Sequence, residues 1–386
     1  MNDRFHAMNP SKKQKEHYVP KWDLRNFSST SDHGHIWVYN TKLRQISEEP
    51  INKIAQKQDF YGKEFEDSLD PIDSKTKLVI EKIISSENVD DLTTTQLDTL
   101  HEFFVLQYYR TEHAKVAIEK QLNLNIKLQT IPRLRKIYKH VSEEDFESAL
   151  REPPTPNFFL LNIDMSLKSK KALSDLTPYL IKKNTNIPFF TSDDPVAFNN
   201  RFHVTNKFLI GFQAVGVQII CPINKRYCLM LIHREAYDIE NSDNSLIKIN
   251  TKRDVDLFNI LQILDSNLQV FSKDNSLGYL QQLQKESGKI KKTKPFNQKM
   301  QNGGADVIKE YQEVERRNYG IHFSFLKRNA NFVRDKWPKH SMNASSGIPF
   351  IRNKDIYDEV KVQTDLFISS FLKEYQEMLE QKVKQF

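Results

Sequence analysis

The stretch GVQIICPINKRYCLMLIH, Gly216 to His233, decides the class of this chain. Two short apolar runs flank the turn PINKRY, and the Pro and Asn at the break bound strands instead of continuing a helix. The reading is a β-hairpin with Cys221 and Cys228 on either side of its turn. NFFLLNIDM (157–165) and IPFFTSDDPVAF (187–198) follow the same grammar and are read as strands, as is HIWVYN (35–40), where Ile36 and Val38 alternate with Trp37 and Tyr39.

Outside these runs the period changes. From Pro71 to about Leu128 apolar positions recur at three-and-four spacing through Leu97, Leu100 and Phe104, after a cluster of Thr caps. EEDFESALRE, from Glu143, adds a helical piece stopped by the prolines at 153–156. Residues 251–271 read as one further helix. The C-terminus reads as a long helix with Val360, Leu366, Phe367, Phe371 and Leu379 on one face. The expected architecture is α+β: a helical N-terminal half packed on a mostly antiparallel sheet, with a long C-terminal helix. Residues 15–275 form the main domain, 276–304 a basic linker or loop, and 305–386 a mainly helical extension.

Composition narrows the function. The 386 residues include 25 Phe and 14 Tyr, enough bulky material for a core despite a mean hydropathy of −0.62. Lys and Arg exceed Asp and Glu by 57 to 50, a net +7 that favours polyanionic partners, nucleic acid first. No apolar run is long enough to cross a bilayer, so no membrane partner is expected. Met1 to Lys15 has no signal-type stretch, and two thiols suit a reducing compartment, so the expected location is a cytoplasm. Phosphate loops, dinucleotide fingerprints, HExxH, GxSxG and CxxC pairs are all missing, which excludes P-loop ATPase, Rossmann, zincin and structural-zinc chemistry.

Three places could carry chemistry. In KEHYVPKWDLRNF, Pro20 stiffens the segment after His17, and Leu24 and Phe27 anchor it. A rigidly seated imidazole can act as acid, base or metal ligand, or simply hydrogen-bond a backbone carbonyl. In FFVLQYYRTEH, Gln107, Arg110 and His113 recur at threes as a polar strip. Arg110 there calls for a phosphate, or for a structural carboxylate such as Asp73 or Glu66. Third, Ser192, Asp193, Asp194 and Pro195 turn the chain at a strand end, as cation ligands or as an ordinary side-chain-capped turn.

In this order the segments resemble a bacterial and phage domain-of-unknown-function family, numbered four-two-three-eight. It is marked by an opening His-x-Val-Pro-x-x-x-Leu-x-x-Phe, a helical Gln-x-x-Arg-Thr and a Pro-Phe-x-x-Ser-Asp-x-Pro-Val strand end. The resemblance runs from about Glu16 to Asp274, with Asn259 on a following helix. Its marks fall on His17, Pro20, Leu24, Phe27, Gln107, Arg110, Ser192, Asp193 and Pro195. The Glu expected on the first helix is met only by Asp73, and CPIN lacks the expected Ser.

A His, an Arg, an amide and acids in a basic protein are what phosphodiester cleavage needs. The expectation is a nuclease acting on RNA or DNA in a phage-defence or toxin setting, with His17, Gln107, Arg110 and Asp193 catalytic. Asp73 and Asp193 would hold a divalent metal such as Mg, and Lys289, Lys291, Lys292 and Lys294 would bind substrate. The alternative is a non-catalytic nucleic-acid- or partner-binding component of a defence system, the C-terminal helix serving a protein partner or a second copy. A weaker third reading is an enzyme acting on a nucleotide or other phosphorylated small molecule.

Overall fold

In the computed structural model the 216–233 stretch is an antiparallel hairpin, with Ile219 opposite Leu231 and Cys221 opposite Leu229. The structure describes residues 15–125, 135–139, 141–142, 144–145, 157–202, 211–240, 242–290, 319–336 and 351–383. Numbered along the chain, the hairpin strands are β8 (Val217–Pro222) and β9 (Tyr227–Ile232). They lie inside a six-stranded sheet ordered β11 (Ser242–Asp243), β12 (Leu246–Ile249), β5 (Thr177–Lys183), β9, β8, β7 (Ala197–Asn200). Only β12 and β5 run parallel within it. Cys221 and Cys228 are buried free thiols.

Every residue of β8 and β9 is buried, because helices cover both faces. Ile219, Cys221, Leu229 and Leu231 pack with Leu100, Phe103 and Phe104 of α3 (Thr94–Tyr109). Their neighbours Ile220, Cys228, Met230 and Ile232 pack on the other side with Val255, Phe258 and Leu261 of α6 (Lys252–Asp265). That is the two-residue alternation of a strand read against two partners. Each large side chain so buried contributes about 1.5–3 kcal/mol.

A second, antiparallel sheet is ordered β3 (Gln45–Pro50), β2 (His35–Asn40), β13 (Gln269–Ser272), β6 (Thr191–Ser192). Two short pairs join β1 (Lys15–His17) to β4 (Gln56–Gln58), and β10 (Tyr237–Ile239) to β14 (Leu326–Arg328). The short α1 (Lys21–Arg25) follows β1, and α2 (Lys63–Ser86) precedes α3. Val19, Leu24 and Phe27 share a core with Phe60, Tyr61 and Leu106, so the opening stretch is pressed against the end of α3.

The structure differs from expectation in several elements. NFFLLNIDM is not a strand: it lies in α5 (Asn157–Lys168), after α4 (Glu112–Asn125), and buries Phe159, Leu160 and Ile163 on one helical face. A short apolar run does not separate strand from buried helix, and here the three-and-four spacing wins. Residues 251–271 are not one helix, because α6 ends at Asp265 and β13 follows. The expected linker begins as a helix, α7 (Leu277–Ser287), with Leu280 and Leu283 in the core. Beyond it, Tyr319, Ile321, Phe323 and Phe325 also join the main core, just before the short strand β14. The long helix is present as α8 (Lys354–Val383), with Phe371 buried but Leu366 67% exposed. Glu143 and residues 146–152 of that piece, and the proline stop at 153–156, lie outside the described residues.

Candidate functional site

The site is built from three segments that meet at Tyr18. His17 closes β1 opposite Gln56, and the Tyr18 N–H continues the pairing by donating to the Ala55 carbonyl at 3.0 Å. Pro20, extended at φ −60°, then starts α1. The Tyr18 carbonyl accepts from Gln107 Nε2 at 3.1 Å, and Gln107 Oε1 in turn accepts from Arg110 Nε at 2.7 Å. Arg110 Nη1 donates to both oxygens of Asp73 at 3.0 Å. The Arg110 carbonyl accepts from the Tyr61 hydroxyl at 2.6 Å, so main chain and side chain are both held. Arg110 is the residue after the last turn of α3, and its guanidinium is only 1% exposed.

Acids surround this guanidinium. Glu16 Oε2 accepts from the backbone amides of Tyr61 at 2.5 Å and Gly62 at 3.1 Å. Asp23 is fully buried, and burial pushes its carboxyl up to about 7 despite the attraction of Arg110. Burial likewise pushes Glu66 up to about 7, against Arg110 and with the help of Glu16 and Asp73. Among the described residues, both Asp23 oxygens, Glu66 Oε2, Glu16 Oε1 and Arg110 Nη2 have no hydrogen-bond partner. Burial and then the nearby Lys21 lower the His17 pKa to about 4, the Ile51 backbone pulling the other way, and its Nε2 has no hydrogen-bond partner among the described residues. Its imidazole is therefore neutral at neutral pH.

Asp193 belongs to a second cluster. Its Oδ1 accepts from the amide of Asn267 at 2.8 Å, and its Oδ2 from those of Leu268 at 2.8 Å and Gln269 at 3.0 Å. Ser192 Oγ donates to Gln262 Oε1 at 2.9 Å, and Gln262 Nε2 donates to the Pro195 carbonyl at 3.0 Å. Asn259 brackets the preceding residues, accepting from the Phe190 amide and donating to the Pro188 carbonyl. The Ser-Asp-x-Pro segment is thus fastened to α6 and to the start of β13. Burial pushes the Asp193 carboxyl up to about 7, with the amides pulling the other way. Tyr18, whose carbonyl belongs to the first cluster, has its hydroxyl pushed up by burial first and then by the charges of Asp193, Glu112 and Asp194.

The expected cation ligands are otherwise engaged. Asp73 gives both oxygens to Arg110, and Asp193 gives both to backbone amides. Among the described residues no group of three His, Cys, Asp or Glu side chains is placed to hold a metal ion. Lys289 is exposed just past α7, whereas Lys291, Lys292 and Lys294 lie outside the described residues. No helix among the described residues is long and apolar enough to cross a membrane.

Sequence reasoning missed Glu16, Tyr61 and Asp23 as parts of the network, and named Glu66 only as a structural partner. The signal for Glu66 was its seven-residue spacing from Asp73, which puts both on one face of α2. Glu66, on α2 with Asp73, feels the Arg110 charge but makes no ion pair with it, whereas Asp73 does.

Fold and site together define a class: an α+β protein whose His-x-Val-Pro opening is tied through the Tyr18 main-chain carbonyl to a helical Gln-x-x-Arg. The chain belongs to the family described as Protein of unknown function (DUF4238), whose model matches residues 15–276. No curated protein and no solved structure matches the chain.

Proposed function

We propose that this protein binds nucleic acid, and that its Tyr18–Gln107–Arg110–Asp73 network serves as a structural lock. The observation that carries this is the state of Arg110. A phosphate-binding arginine must meet its ligand, whereas this guanidinium is buried and bonded to Gln107 and Asp73. A buried cation so held fits a fastener between α2, α3 and the opening stretch. The net +7 charge then supplies the partner class, since a cationic surface raises both encounter rate and affinity for polyanions. Titration of labelled DNA and RNA should give binding at low salt whose log affinity falls linearly with log salt through counterion release. Salt-independent binding, or none, would remove this reading.

One observation favours a second reading. Asp23 and Glu66 are two carboxyls held near neutrality beside an arginine, an arrangement suited to general acid–base work. On that reading the chain is a nuclease of a phage-defence or toxin system, with these acids moving protons and Arg110 Nη2 facing the phosphate. It requires cleavage by the parent protein that is lost in Glu66→Gln without loss of fold.

A further inference from the structure

Four cations from distant parts of the chain converge on one edge of the molecule. The β8–β9 turn supplies Lys225 and Arg226, the end of β5 supplies Lys183, and the segment after β13 supplies Lys273. They line a cleft of about 480 Å³ together with Asn184 and Asn186. A second cleft, of about 640 Å³, shares Lys225 and Lys273 and runs on past Arg25, Asn26, Ser31 and Asn224. The two form one trough with the lysine pair at its waist.

The charges in this trough are poorly compensated within the protein. Lys273, in hydrogen-bonding reach, and then burial hold the Lys225 amine below the ordinary lysine range. Burial, followed by Arg226 and Lys225, does the same to Lys183, whose amine donates to the Thr185 carbonyl at 2.7 Å. Among the described residues, Asp274 is the one carboxylate lining the first cleft. Glu81, the acid of the second, is paired with Lys77 at 3.6 Å. Glu87 feels Arg226 but is bonded to Lys182 and Tyr227. Like charges pressed together cost stability unless an anion joins them, and Lys, Arg, Asn and Ser are the side chains that contact phosphate oxygens. Among the described residues neither cleft is lined by Phe, Tyr or Trp, and the His33 ring in the second is the single aromatic surface offered to a base, so stacking contributes little here.

We infer that this trough binds the sugar–phosphate backbone of nucleic acid, with Lys183, Lys225, Arg226 and Lys273 on successive phosphates and Arg25 further along. The inference rests on the nucleic-acid reading above and adds the place and the mode, which is backbone contact with little base preference.

The test is fluorescence anisotropy of a labelled oligothymidylate and a mixed-sequence RNA with the full chain and with the Lys225→Gln/Lys273→Gln double variant. The double variant should bind at least about tenfold more weakly. Its log–log salt slope should be shallower by roughly 1.4, two phosphate contacts at about 0.7 each on a single strand. Its melting temperature should not fall, because the exchange relieves a repulsion, and Asp274→Asn should bind more tightly than the parent. If the parent binds and the double variant binds equally well, the trough is overturned while the nucleic-acid reading stands. If the parent binds neither probe, both fall. Binding of inorganic tripolyphosphate at the lysine pair, with no oligonucleotide bound, would assign the trough to a small phosphorylated molecule and overturn the inference.

Discussion

Arg110 and His17 each carried two meanings in the sequence, one chemical and one structural. The geometry around Arg110 is that of the plainer meaning, a carboxylate pair to Asp73, while His17 is buried with its Nε2 unpartnered among the described residues. Asp23 was not legible at all, since in PKWDLRN it looks like a surface acid, and only the inward turn of α1 buries it. Its titration provides a test. The Asp23 carboxyl is raised from 3.8 to about 7, so between those values the folded state keeps a proton that the unfolded chain has lost. The stability this contributes is fully present below about 3.8 and is lost as pH rises through about 7. His17 runs the other way: lowered from 6.5 to about 4, it contributes stability above 6.5 that is lost as pH falls toward 4. Comparing Asp23→Asn with the parent cancels that background. The variant should melt above the parent at about pH 8, and the gap should close toward about pH 4. A gap of the same size at both ends would mean that Asp23 is ionised in the fold.

Elements were legible where pattern and chemistry agreed. The 216–233 hairpin and β2 lie where alternation and turn residues put them, and α3 opens on a Thr93–Gln96 capping box. Reading failed where an apolar run was too short to show its period, as in α5, and where a strand followed a helix across Ser266–Leu268. That junction is where Asp193 acts, gripping the amides of Asn267, Leu268 and Gln269, a role that SDDP does not reveal because its partners lie over seventy positions away. Replacing Asp193 with Asn turns an acceptor-only group into one that must point an N–H toward an N–H. The expected loss is about 1–3 kcal/mol. Amide exchange at Leu268 and Gln269 should accelerate before that of α6, and unchanged exchange there would contradict the fastening role.

At the scale of the whole molecule, the α+β class and the order of the marked segments were legible, whereas the convergence of Lys183, Lys225 and Lys273 was not. No local pattern joins residues brought together only by sheet order. Nor did the sequence show that Tyr319, Ile321, Phe323 and Phe325, past the family match, complete the main core. The central claim is that the Arg110 network holds the protein together and does not cut nucleic acid. It is tested most directly by measuring, on one preparation each of the parent and Arg110→Ala, both unfolding stability and turnover of DNA, RNA and tRNA. Removing one partner of a buried pair should cost about 3–5 kcal/mol. The account predicts that loss in Arg110→Ala, no cleavage by the parent, and nucleic-acid affinity kept by whatever variant remains folded. A parent that cleaves, beside an Arg110→Ala variant that melts with it and does not cleave, would contradict the account.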